Sequence, residues 1–165
     1  MDSEILNKLY LKVLNFVSYS PRSKKEIEER LEKYIQSEKL LEDEAEEARD
    51  YVIETLTGQG YIDDEKIAKD LLFSYQNSRK PKSSKQIKMH LYKKKLSEEL
   101  ISRVVSQIDT ESEFESALQI LSKKAKNVDA PIGFLESQKL VKYLLSKGFD
   151  YSISKRAVDT LNEVK

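Results

Sequence analysis

Between Leu71 and Ser97 the chain has no aspartate or glutamate, yet it holds Arg79, Lys80, Lys82, Lys85, Lys88, Lys93, Lys94 and Lys95. Cations spaced along a helix and its leading loop suit one chemistry best. They neutralise the phosphates of a nucleic-acid backbone without reading base edges. Nothing in the stretch supplies base-edge readout, so sequence-specific binding is not expected. Arg79, Lys80, Lys82, Lys85 and Lys88 lead the candidates. Lys93, Lys94 and Lys95 come second, because cations in a last helical turn also offset the helix dipole. Tyr75 and Tyr92 flank the region. Stacking on bases is one role open to them; packing in the core is the other, and the expected one. A solvated helix face, or a surface for an acidic partner, is the alternative for the lysines.

No other constellation competes. There is no cysteine, a single histidine and no glycine-rich phosphate loop, so neither a metal centre nor a cofactor site is expected. His90 lies between Met89 and Leu91 and reads as an exposed or half-buried helix residue. Adjacent acids such as Glu46/Glu47 and Glu98/Glu99 suit acid–base work in principle. In a chain with 29 acids they arise by chance. An enzyme is not expected.

The basic stretch has an acidic counterpart. Glu26 to Glu54 contains twelve acids against Arg30, Lys33, Lys39 and Arg49, a local balance of −8. The 165-residue chain is therefore neutral overall, with 29 bases and 29 acids, but two-signed along its length. That excludes a uniformly basic coat for DNA. It fits a partner that itself presents both protein and nucleic acid. The longest uncharged run, Val13 to Pro21, is far short of a membrane span. The start, Met-Asp-Ser-Glu, lacks the basic-then-apolar order of a secretory leader. A soluble, cytoplasmic protein is expected.

Helices must position these groups, since apolar residues recur at helical spacing and strand alternation is nearly absent. Ile5, Leu6, Leu9, Val13, Phe16 and Val17 share one face. Ser23 and Glu26 then form a capping box ahead of Ile27, Leu31 and Tyr34. Tyr51, Val52 and Leu56 end at Gly58-Gln59-Gly60. Asp63 or Asp64 caps a helix with Ile67, Ala68, Leu71, Leu72 and Tyr75. Ile87 and Leu91 follow, then Leu100, Ile101, Val104, Val105 and Ile108. The last third repeats the order with Phe114, Ala117, Leu118 and Leu121, then Leu140, Val141 and Leu144, and finally Val158 and Leu161.

These segments fall into three groups of three. A shift of 53 superposes Ile87 on Leu140, Leu91 on Leu144, Leu96 on Phe149, Leu100 on Ile153, Arg103 on Arg156 and Val105 on Val158. A shift of 60 superposes Ile27 on Ile87, Leu31 on Leu91 and Pro21 on Pro81. The first group carries extra residues around Ile35 to Asp43. The pattern predicts an all-α fold, an elongated array of three tandem three-helix repeats over 1–62, 63–110 and 111–165. The basic segment lies in the second repeat and the acidic insertion in the first.

Four stretches carry a resemblance. They are Tyr19-Ser20-Pro21-Arg22-Ser23-Lys24-Lys25-Glu26-Ile27 through Leu31; Leu56 through Gly60-Tyr61-Ile62-Asp63-Asp64-Glu65-Lys66-Ile67-Ala68, the most specific; Arg79 through Ile87, Leu91 and Lys94; and Leu144-Leu145-Ser146-Lys147-Gly148-Phe149 with Ile153 and Val158. Together they resemble RecX, the bacterial regulator of the RecA recombinase, over residues 6–162. The chain departs from that pattern in its acidic insertion, in Ser83-Ser84-Lys85 before the second-repeat helix, and in the longer loop after Lys126. The resemblance implies three tandem three-helix repeats and a non-enzymatic inhibitor. It implies binding in the groove of the RecA filament on single-stranded DNA, tuning recombination, ATP hydrolysis and SOS co-protease activity. A monomer with weak non-specific DNA binding is expected. A general nucleic-acid-binding module resembling helix-turn-helix domains is the alternative.

Overall fold

The computed structural model describes residues 3–128 and 131–164. Among them are nine α-helices and no strand: α1 (Ser3–Ser18), α2 (Lys24–Glu38), α3 (Glu42–Gly58), α4 (Asp64–Gln76), α5 (Ser84–Lys93), α6 (Glu98–Val105), α7 (Thr110–Lys124), α8 (Phe134–Ser146) and α9 (Tyr151–Val164). All three groups of three helices are present, in the order expected from the sequence.

The chain divides into two compact units. One runs to Ala68 and includes Lys93–Ser97; the other comprises Lys69–Tyr92 and Glu98 onward. In the first, α1, α2 and α3 pack pairwise around Leu9, Val13, Ile27, Leu31, Ala48, Val52 and Leu56. In the second, α7 packs mainly on α9, and α8 completes a core of Phe114, Ala117, Leu121, Leu140, Leu144, Phe149, Ile153 and Val158. Ile87, Leu91, Leu100, Ile101 and Val104 are buried in the same unit. Each helix buries one stripe and wets the other face. That is how a chain with 35% charged residues still closes a core.

Local sequence sets the helix ends. The Ser23–Glu26 capping box forms: the Ser23 amide donates to Glu26 Oε2 at 2.9 Å, and Glu26 N–H donates to Ser23 Oγ at 3.3 Å. Asp63 caps α4, accepting from Lys66 N–H at 2.9 Å. Asp64 does different work, accepting from Lys24 N–H at the start of α2, 2.8 Å away. At the end of α3 the chain turns through Gly60 (φ +77°), where Tyr61 N–H bonds Leu56 O and Gly60 N–H bonds Thr57 O. This is the paired C-terminal bond pattern that favours glycine.

The extra residues of the first group are helical. α2 has 15 residues against 10 in α5, and α3 has 17 against 8 in α6. The acids there have partners. Glu38 takes Lys8 and Lys12 at 2.8 and 2.7 Å, tying α1 to α2. Arg49 spans Glu32 at 2.9 Å and Glu42 at 3.0 Å, tying α2 to α3. Hydrogen bonds from Lys12 and then Lys8 hold the Glu38 carboxyl below its usual range.

Lys39, the exposed residue that caps the end of α2, is in the left-handed region (φ 54°). For a side chain bearing a Cβ this costs about 1–2 kcal/mol, partly offset because glycine loses more chain entropy on folding. Lys39→Gly is therefore expected to stabilise the protein by about 0.5–1 kcal/mol, a rise of roughly 1–4 °C in the melting midpoint. Thermal denaturation reads it; a lower midpoint would contradict this account of the turn.

Candidate nucleic-acid interface

The basic segment begins in the loop between α4 and α5, and short polar contacts fix that loop. Lys80 N–H donates to Ser78 Oγ at 3.1 Å, and Pro81 is buried. Ser83 stands 60 residues after Ser23 and repeats its role, accepting from Gln86 N–H at 3.2 Å as the cap of α5. Its hydroxyl, fully buried, donates to Lys147 O at 2.7 Å. One residue on, Glu113 of α7 accepts from both Ser84 N–H (3.0 Å) and Ser84 Oγ (2.8 Å). The start of α5 is thereby tied to α7 and to the turn after α8. The Asp64–Lys24 bond does the matching job at the start of α2. In both places an acid near the start of the next group's first helix takes the first amide of the preceding group's second helix.

That arrangement opens a groove of about 460 Å³ lined by Arg79, Lys80, Pro81, Lys82, Gln86, Ile120, Lys123, Lys124, Tyr143 and Lys147. Six of these residues are cationic and none is acidic. Tyr143 is half-buried, with the Lys124 and Lys147 ammoniums 5.2 and 5.4 Å from its ring centre. Lys82 sits 5.4 Å from the Tyr75 ring. Lys123 donates to the backbone carbonyl of Arg79. These partners are neutral, and among the described residues no ion pair is seen for any of the six cations. Their charge is left to the groove.

The remaining predicted cations do not line it. Lys88 pairs with Glu98 at 3.8 Å. Lys95 pairs with Glu29, and Lys94 Nζ donates to Pro21 O at 3.3 Å. Lys85 is exposed, its Cβ facing Gly148, and Lys93 is exposed at the end of α5. The structure thus brings Arg79, Lys80 and Lys82 together in the groove, and Lys85, Lys88, Lys93, Lys94 and Lys95 are not among its lining residues.

The two flanking tyrosines differ. Tyr75 is half-buried with its ring 5.1 Å from that of His90. Tyr92 is exposed rather than in the core, and its hydroxyl donates to Glu98. Leu91 faces the core, so the next residue turns about 100° away from it. The Glu98 carboxylate that accepts its hydroxyl pushes the Tyr92 phenol above its usual value of 10.0. Among the described residues no group of three His, Asp or Glu side chains is placed to hold a metal ion.

Sequence reading missed Lys123, Lys124, Lys147 and Tyr143. A signal was present: Ser116–Val128 and Ser137–Phe149 are also free of acids and carry these lysines. The longer basic run drew attention away from these two shorter ones.

Comparison with known proteins converges on one family. Residues 111–158 match the family model described as RecX, third three-helix domain. The regulatory protein RecX of Clostridioides difficile is 29% identical over 98% of this chain and 71% of its own length. That of Clostridium botulinum is 33% identical over 78% of this chain and 63% of its own. That of Bacillus cytotoxicus is 26% identical over 99% and 57%. The chain thus spans little more than half the length of some relatives. The crystal structure of RecX from Lactobacillus salivarius superposes with a TM-score of 0.76 at 25% identity, covering 98% of this chain and 99% of that one. Sequence likeness over nearly the whole chain, the match of residues 111–158 and the superposition agree: the proteins this chain is similar to are the RecX regulatory proteins.

Proposed function

We propose that this protein regulates a RecA recombinase by binding the filament that RecA forms on single-stranded DNA. In this reading it lies along the filament's helical groove, spans neighbouring subunits, and restrains filament growth, strand exchange, ATP hydrolysis and co-protease activity. It acts by binding, in the cytoplasm and as a monomer, with repeats bounded near residues 62/63 and 110/111 as its contact modules. The observation that carries the reading is likeness to RecX proteins over nearly the whole chain, in sequence and in fold. The groove at Arg79, Lys80 and Lys82 supports it, since positive charge left unneutralised by the protein's own acids suits a partner that contains DNA. Acids of α2 and α3 give the molecule a second, oppositely charged surface for protein contact. Among the described residues no helix is long and apolar enough to cross a membrane.

The test is RecA ATPase on single-stranded DNA with substoichiometric purified protein. A lowered rate, with co-sedimentation on the filaments, is expected. An unchanged rate without co-sedimentation would sink the reading. The groove also favours a second possibility, a general nucleic-acid-binding module. Tight, sequence-selective mobility shifts of bare DNA would support that instead.

A further inference from the structure

The proposed filament reading leaves open which residues meet nucleic acid and what part of it they meet. We infer that the site is the composite groove in which Lys123, Lys124 and Lys147 join Arg79, Lys80 and Lys82, and that it takes the sugar–phosphate backbone of a single strand without reading its bases.

Three observations carry this inference, which rests on the proposed function for its biological setting. The first is charge. The groove holds six cations and no acid, and their observed partners are neutral. Lys88 and Lys95, from the same basic run, are instead partly neutralised by Glu98 and Glu29. The second is the aromatic ring. Tyr143 is half-buried, and two ammoniums lie 5.2 and 5.4 Å from its ring centre. Base stacking needs a free ring face; this ring orients Lys124 and Lys147 by cation–π attraction. The third is the apolar content of the lining, confined to Pro81, Ile120 and Tyr143. A peptide partner would call for a deep apolar anchor pocket. Five of the six cations are lysines, which meet phosphate as compact point charges without demanding a fixed bidentate geometry. Single-stranded nucleic acid is therefore favoured over an acidic peptide.

The charge is also pre-positioned. The Ser83–Lys147 and Ser84–Glu113 bonds hold the loop carrying Arg79, Lys80 and Lys82 against α7 and the end of α8. The cations of the second and third groups thus converge before any ligand arrives, which reduces the entropy lost on binding.

The experiment needs no RecA. Fluorescence anisotropy is measured for a short labelled oligothymidylate, for an abasic deoxyribose-phosphate oligomer of equal length, and for polyglutamate as competitor. The whole protein is compared with the triple variant Lys123→Gln, Lys124→Gln, Lys147→Gln. All three positions are exposed or half-buried, so the fold should hold, and circular dichroism with a thermal melt verifies it. The abasic oligomer should bind within about threefold of oligothymidylate, and polyglutamate should compete poorly. The triple variant should bind at least tenfold more weakly, its salt dependence flattened by roughly 0.7 in log–log slope for each phosphate that it no longer neutralises. Unchanged affinity in the folded variant would overturn the inference, as would failure to bind the abasic strand or strong competition by polyglutamate. The two readings fail separately. Oligomer binding as expected with no effect on RecA ATPase overturns the filament reading alone. An ATPase effect with oligomer binding indifferent to the triple variant overturns this one alone.

Discussion

Gly148→Ala is expected to be among the most damaging single substitutions in the chain, lowering stability by about 2–4 kcal/mol and the melting midpoint by roughly 5–15 °C. Two causes act together. Gly148 has φ +88°, where a Cβ costs about 1–2 kcal/mol. A Cβ built there would also lie 2.8 Å from Ser83 Oγ and 3.3 Å from Lys85 Cβ. The hydroxyl has nowhere to retreat, since Ser83 is fully buried, caps α5 and donates to Lys147 O. Pushing it aside strands buried polar atoms at about 1–3 kcal/mol. A double-mutant cycle with Ser83→Ala separates the causes. Ser83→Ala alone should cost about 1–2 kcal/mol through removal of the cap and its bond to Lys147. The double variant should lose at least about 1 kcal/mol less than the sum, because the conflict with the Ser83 hydroxyl then disappears, leaving the backbone strain and the tight approach to Lys85 Cβ. Strict additivity would show that Ser83 and Gly148 are not in conflict and would refute the packing account.

The same turn explains how far the sequence disclosed the fold. Superposing Lys94-Lys95-Leu96 on Lys147-Gly148-Phe149 rests on little identity, yet both turns have a left-handed residue at the matching position, Lys95 at φ 57° and Gly148 at φ 88°. The apolar residues after them, Leu96 and Phe149, are both buried. Backbone geometry recurs where residue type does not, so helical periodicity and break positions sufficed to set out the groups. The junctions between groups were less legible. Asp64 reads as one of two equivalent caps for its own helix, but it bonds the start of α2, and Glu113, which no sequence motif singles out, bonds the start of α5. Such contacts depend on which helix ends meet in space, and the hydrophobic period carries no information about that.

For the candidate site the division falls inside one linear run of charge. The run identified Arg79, Lys80 and Lys82, which line the groove, but it also put Lys88 in the same first rank and Lys95 in the second, and these pair with Glu98 and Glu29. Distance along the chain could not separate them, because a helix turns successive residues through 100° and spreads consecutive lysines around its circumference. Lys123, Lys124 and Lys147 lie more than forty residues beyond Arg79 and Lys82. They join the site only because the start of α5 is bonded to Glu113 and to the Lys147 carbonyl. A short polar network, rather than the charge pattern, decides which cations act together.

That distinction gives the functional prediction with the largest expected effect. Two triple variants change net charge by the same amount: one reverses Arg79, Lys82 and Lys124 in the groove to glutamate, the other reverses Lys85, Lys88 and Lys93, which do not line it. Both should remain folded, since each side chain is exposed or half-buried. In the RecA ATPase assay the groove variant should raise the half-inhibitory concentration roughly 30-fold, about 2 kcal/mol, because phosphates go unneutralised and new like-charge repulsion is added. The outside variant should shift it by about threefold or less. Its effect enters only through long-range attraction, screened beyond roughly 8–10 Å at physiological salt. Raising the salt should shrink the outside variant's small deficit further while leaving the groove variant impaired. Equal shifts from the two variants would mean that filament binding responds to overall charge and that the groove has no special standing. A larger shift from the outside variant would move the contact surface to the exposed face of α5.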